Sequence, residues 1–230
     1  MSGIWVLLLL IFISAVPALA AFIWFKVSRY PLSPFWFVSF LACGAAALLL
    51  AALLQSFFPA GAGSAGALVF KTFVQIALTE ETGRFLALFI IFHLFRPLEK
   101  LPELLQPSFA AAAGLLTGLG FAVVETAFYS AMDMNLALLR AFTAAPLHGA
   151  CGARIGLSIF SLRLNFFKGI LRFGTAAAIH GMYNFMIITP GLPTLLPALI
   201  AFSALASAVI TIHSGNRASE HTNKNGDLPI

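Results

Sequence analysis

The sequence predicts an all-α fold, a polytopic membrane helix bundle of about seven transmembrane helices, and three observations lead there. The chain has 230 residues, of which 60% are hydrophobic. Only 9% are charged, against roughly 25% in soluble domains. The apolar residues gather into runs near the ~20 residues that a helix needs to cross the hydrocarbon core, and mean hydropathy is +0.98. This length leaves no room for a sizeable soluble domain beside the spans. The net charge of +5 does not signal nucleic acid, because Lys and Arg sit at the ends of apolar runs rather than in a basic patch.

The spans fall at about 4–25, 35–58, 67–95, 109–131, 135–160, 169–189 and 191–212. The first ends in Ala18-Leu19-Ala20, which resembles a signal-peptide cleavage site. It lacks a basic leading region and its apolar run is long, so an uncleaved first span is expected. The third and fifth are long, which implies tilt or an interfacial end. The connector 96–108 mixes leucines with charges and reads as a short segment lying on the membrane surface. Gly114-x3-Gly118 and Gly152-x3-Gly156, with the Ala-rich runs 44–52 and 110–113, signal close helix approach. Residues 214–230 are polar and read as a disordered cytoplasmic tail, leaving 1–213 as one transmembrane domain.

Basic residues set the orientation. Lys26 and Arg29 follow the first span, Arg96 and Lys100 the third, Arg163 and Lys168 the fifth, Arg217 and Lys224 the seventh. The turns at 59–66, 131–135 and 189–193 carry no Lys or Arg. The positive-inside bias then places the amino terminus outside and the carboxyl terminus in the cytoplasm. Cys43 and Cys151 lie apart in apolar segments with no metal-type spacing and read as small buried hydrophobes.

Polar residues break these spans at matching depth. An ionised side chain near the bilayer centre costs on the order of 2.5–3.5 kcal/mol, so each needs a reason. Span three carries Thr79-Glu80-Glu81-Thr82-Gly83-Arg84. Arg84 lies within one helical turn of both glutamates, which themselves diverge by roughly 100°. Span four carries Glu125, span five His148, and span six His180-x3-Asn184, whose imidazole and amide share a face. Four helices presenting acids, imidazoles and an amide at one depth point to a shared site between spans three and six. Singly, Glu80 and Arg84 read equally well as an ion pair locking the bundle, and a lone buried His as a satisfied core residue. Together they exceed what structure alone requires, since apolar residues would serve that purpose at lower cost. Lys71, Gln75 and Thr79 form a stripe that is either a water path or a snorkelling lysine with two neighbours. His93, His213 and His221 read as interfacial, and Arg140 and Arg154 as headgroup contacts or helix caps.

In order and on separate spans, Glu80-Glu81-x2-Arg84, Phe121-x3-Glu125, His148 and His180-x3-Asn184 resemble the PrsW family of intramembrane proteases. That family is grouped with the CAAX prenyl endopeptidases. The resemblance covers about 67–190. Arg84 stands where PrsW sequences typically have Lys, and Thr126 where they often have Asn; Glu125 fits PrsW, the CAAX branch usually having His. The resemblance implies hydrolysis of a peptide bond in a membrane protein substrate, in bacteria often the first cut of an anti-sigma factor.

Two mechanisms suit these residues, and both stand open. In one, Glu81 or Glu80 is general base to a water, aided by His148 or His180, and Asn184 with a histidine stabilises the oxyanion. In the other, Glu125, His148 and His180 hold a divalent metal such as Zn2+, with Glu81 as base beside it. A non-catalytic chaperone with a polar core is the alternative from a different class, although the motif residues are intact apart from Thr126. A proton or solute carrier is another, but repeated halves are absent from the sequence.

Overall fold

The structure, a computed structural model, describes residues 3–28, 30, 32–58, 65–95, 106–130, 133–193 and 195–225. The helices are α1 (Gly3–Val27), α2 (Pro34–Gln55), α3 (Ala65–Val69), a π-helix (Phe70–Leu78), α4 (Thr79–Phe95), α5 (Pro107–Ser130), α6 (Met134–Phe142), α7 (Ala144–Leu162), α8 (Phe166–Ile188) and α9 (Leu195–Asn225). No strand occurs among the described residues, so the all-α expectation holds. The connector expected over 96–108 lies mostly outside them.

Several starts are written in the sequence. Ser33 caps α2 through the Trp36 amide, with Pro34 at the first helical position. Asp133 caps α6 by accepting from the Asn135 and Leu136 amides at 2.9 and 3.1 Å. Asn165 caps α8 through the Lys168 amide at 2.9 Å. Beyond α8, Gly191 takes φ +82°, a left-handed turn that suits glycine.

Among the described residues four helices are long and apolar enough to cross a membrane: Ile4–Val27, Pro34–Gln55, Pro107–Ser130 and Leu195–Asn216. The other three expected crossings depart from that pattern for visible reasons. The third is divided into α3, the π-helix and α4. The fifth is broken at Thr143 into α6 and α7. The sixth, α8, is diluted by Lys168, Arg172, His180 and Asn184. The count of seven continuous apolar helices is therefore not reproduced. At the far end α9 continues to Asn225, past Ser214, where the polar tail was expected to begin.

α5 is the central helix, buried almost continuously from Ser108 to Ala122. Small residues let its neighbours reach its backbone. A methyl on Gly114 would run into the Gly152 carbonyl, and one on Gly118 into the His148 carbonyl. The two glycine pairs thus interlock, fixing α7 against α5 at the height of His148. On the other side Gly44 and Gly120 bring α2 against α5. Gly83 does the same for α4 on α2, where a Cβ would sit 2.7 Å from the Ala47 carbonyl oxygen. Cys43 and Cys151 are buried free thiols, as expected.

Candidate active site

Tight packing of α2, α4, α5, α7 and α8 brings Glu80, Glu81, Arg84, Glu125, His148 and His180 together. All six are buried, and the most exposed, Glu125, is only 7% accessible.

Arg84 is the hub. Its Nη1 donates to Oε1 of Glu81, and its Nη2 lies 3.2 Å from Oε2 of Glu80 and 2.7 Å from Nδ1 of His148. The guanidinium also sits 4.2 Å from the centre of the Phe121 ring, which lies 5.2 Å from the His148 ring. Phe121 is thus the apolar floor under both groups.

These contacts fix the imidazoles. Arginine has no acceptor, so Nδ1 of His148 must accept from it and Nε2 carries the proton. That proton is donated to Oε2 of Glu125 at 2.7 Å. On α8, Nδ1 of His180 lies 2.7 Å from Oε1 of Glu81 and donates to it. This leaves the lone pair on Nε2 of His180, which faces Oε2 of Glu80 at 3.6 Å. The two rings meet edge to face, centres 5.1 Å apart.

Two further side chains complete the cluster. Nη2 of Arg140, on α6, binds Oε2 of Glu125 at 2.6 Å and the guanidinium stacks 4.8 Å from the Tyr129 ring centre. Gln55, at the end of α2, donates to Oε1 of Glu80 at 3.4 Å. Neither stood out in the sequence: Gln55 ends an apolar span, and Arg140 read as a headgroup contact. Its residue type, a cation inside an expected span with no near acid in sequence, was the available signal.

Asn184, one turn beyond His180, is half-buried and its amide bonds to no other described residue. Oε2 of Glu81 is buried without a hydrogen-bond partner among the described residues. Along the polar stripe Lys71 is exposed, Gln75 half-buried and Thr79 buried, its hydroxyl turned to the Gln75 carbonyl at 2.7 Å. Phe73 of the π-helix covers Gly181, where a Cβ would run into the ring.

The metal-ligand set expected from the sequence changes by one residue. Glu80, His148 and His180 each offer an atom within 4.8 Å of the others. Glu125 stands outside this set because its carboxylate oxygen is held by His148 and Arg140. Both histidines instead show the pattern of a ligand whose other N–H is fixed by a carboxylate, Glu125 for His148 and Glu81 for His180. Two imidazoles and a carboxylate form a catalytic zinc donor set. Charge agrees: three carboxylates meet two guanidiniums, an excess of one negative charge that a cation would balance. The residues therefore fit a divalent metal, with Arg84 competing for Nδ1 of His148.

Residues 32–211 match the model of the PrsW family intramembrane metalloprotease. The chain belongs to that family. No curated protein and no solved structure matches it. PrsW membership makes it an integral membrane protein of a protease family, and the match extends beyond 67–190 to take in α2, which supplies Gln55 to Glu80.

Proposed function

We propose that this PrsW-family chain is an intramembrane endopeptidase in which Glu81 activates the attacking water. The observation that carries this reading is the unbroken series of contacts Arg140–Glu125–His148–Arg84–Glu81–His180, drawn from five helices onto one buried point. Within it, one oxygen of Glu81 is anchored by Arg84 and His180 while the other has no hydrogen-bond partner among the described residues.

Oε2 of Glu81 takes a proton from water as its oxygen attacks the scissile carbonyl carbon. Asn184 lies on the same face of α8 as His180 and donates its side-chain amide to the developing oxyanion, while the one N–H of His180 stays on Oε1 of Glu81 and orients the base. The proton held by Glu81 then passes to the leaving nitrogen as the C–N bond breaks, giving a carboxylic acid, which keeps the second hydrogen of the water, and an amine. Glu80, His148 and His180 would hold a divalent metal, which when bound supplies Lewis-acid polarisation of water or carbonyl. Glu125 and Arg140 orient His148 in either case.

The substrate is a membrane protein. The family resemblance directs the search to regulators of the anti-sigma type, cut first at this site. The chain is proposed to lie in a bacterial inner membrane with its amino terminus outside, the protease core within 67–190. Mass spectrometry of membrane fragments from cells carrying the wild type or Glu81→Ala tests the reading. A fragment lost in Glu81→Ala at equal abundance supports it; cleavage by Glu81→Gln at the wild-type rate would falsify the base assignment.

A further inference from the structure

Away from the cluster, Arg154 has no ion pair with any acidic side chain among the described residues. It lies on α7, eight residues before the helix ends at Leu162, about 12 Å along the axis at 1.5 Å per residue. Its Nη1 donates to the Ala150 carbonyl at 3.0 Å and to the Ala204 carbonyl of α9 at 3.3 Å. Its Nη2 donates to Oγ of Ser207 at 2.6 Å. All three acceptors are neutral, so the positive charge is not compensated, and a guanidinium with five N–H groups has donors to spare.

Beside it a cleft of about 410 Å³ opens between α7, α8 and α9. Arg154, Ser203 and Ser207 form its polar part; Ile179, Leu199 and Ile200 form its apolar wall. Ser203, Ser207 and Leu199 are exposed, so the cleft gives onto the outer surface of the bundle, where lipid is the solvent.

We propose that this cleft binds an anionic phospholipid, with the phosphate on Arg154, Ser203 and Ser207 and an acyl chain along Ile179, Leu199 and Ile200. Charge complementarity is the argument. An uncompensated cation at this depth is costly, and the cost falls when water and head groups are drawn towards it. The planar fork of arginine matches phosphate oxygens in pairs, and basic pockets between membrane helices take lipid head groups. A purely structural tie between α7 and α9 would need only the carbonyl contacts, which a neutral amide could make. The site is independent of the catalytic reading, since α7 directs His148 towards α4 and α5 but Arg154 towards α9.

The test is native mass spectrometry of the full chain in mild detergent, titrated with phosphatidylglycerol or phosphatidylcholine. Wild type and Arg154→Lys should hold one phosphatidylglycerol with a preference over phosphatidylcholine of about fivefold or more. Arg154→Gln should lose that preference. Ser203→Leu fills the cleft while leaving the bonds of Arg154 intact, so it should lose lipid too and decides the matter should Arg154→Gln not fold. Retention of the wild-type preference by either Arg154→Gln or Ser203→Leu overturns the proposal. So does equal binding of the two lipids, or displacement of phosphatidylglycerol by equimolar inorganic phosphate or oleate, which would assign the cleft to a free anion or a fatty acid.

Discussion

Arg140 and His148 converge on a single oxygen, Oε2 of Glu125, at 2.6 and 2.7 Å. The carboxylate thereby fixes which nitrogen of His148 carries the proton, and a short helix that the sequence merged into a longer span supplies the cation that holds it. Glu125→Gln should keep the protein folded but lower proteolysis by about 10–100-fold, the usual cost of losing a partner that orients a histidine. Rates of substrate cleavage at matched protein abundance check this.

Arg140 should behave as a positioning residue. Arg140→Gln is expected to cut the rate roughly tenfold, and Arg140→Lys to restore most of it. Combined with Glu125→Gln it should add little further loss, because both act through one contact. A double-mutant cycle on cleavage rates reads that coupling directly; strictly additive losses would separate the two roles.

Arg84 pairs with two buried carboxylates at once. Arg84→Leu strands both and should destabilise the protein by about 3–5 kcal/mol, seen as a lower melting temperature in detergent. Arg84→Lys keeps the charge but loses the planar fork shared among Glu80, Glu81 and His148, so activity should fall more than stability.

Metal stoichiometry distinguishes the two carboxylates. Elemental analysis of purified protein should show zinc or another divalent ion reduced strongly in Glu80→Ala, His148→Ala and His180→Ala. In Glu125→Ala the decline should be smaller, about 10–100-fold in affinity, since that residue acts from outside the ligand set. Equal loss in Glu125→Ala and Glu80→Ala would restore Glu125 as a ligand.

Packing gives a prediction without an activity assay. Gly118→Ala places a methyl against the His148 carbonyl, and overpacking of this kind costs typically 1–3 kcal/mol. The melting temperature should drop, and cleavage should suffer as well because the same contact sets the height of His148.

Much of this arrangement could be read from residue type and spacing alone. Arg84 and its two glutamates lie on one helix, so their contacts follow from helical periodicity, and the glycine pairs of α5 and α7 pack as such pairs do. What escaped depends on relations between helices. Whether Glu80 or Glu125 joins the histidines as a ligand turns on which ring nitrogen faces which carboxylate, and no linear pattern encodes that. The break at Thr143 escaped for a different reason: residues 135–160 remain apolar across it, and hydropathy does not register a break in the helical backbone. The same polar residues that reveal the site also lower the hydropathy of its helices, so fewer of them stand out by apolar length than the seven spans read from the sequence.

Phe73 seated over Gly181, beside a cluster almost closed to its surroundings, carries a kinetic consequence. On the proposed reading, a polypeptide reaches Glu81 only once neighbouring helices part, so admission as well as bond breaking selects what is cut. Membrane proteins that cannot part the bundle would then be spared, however scissile their sequences.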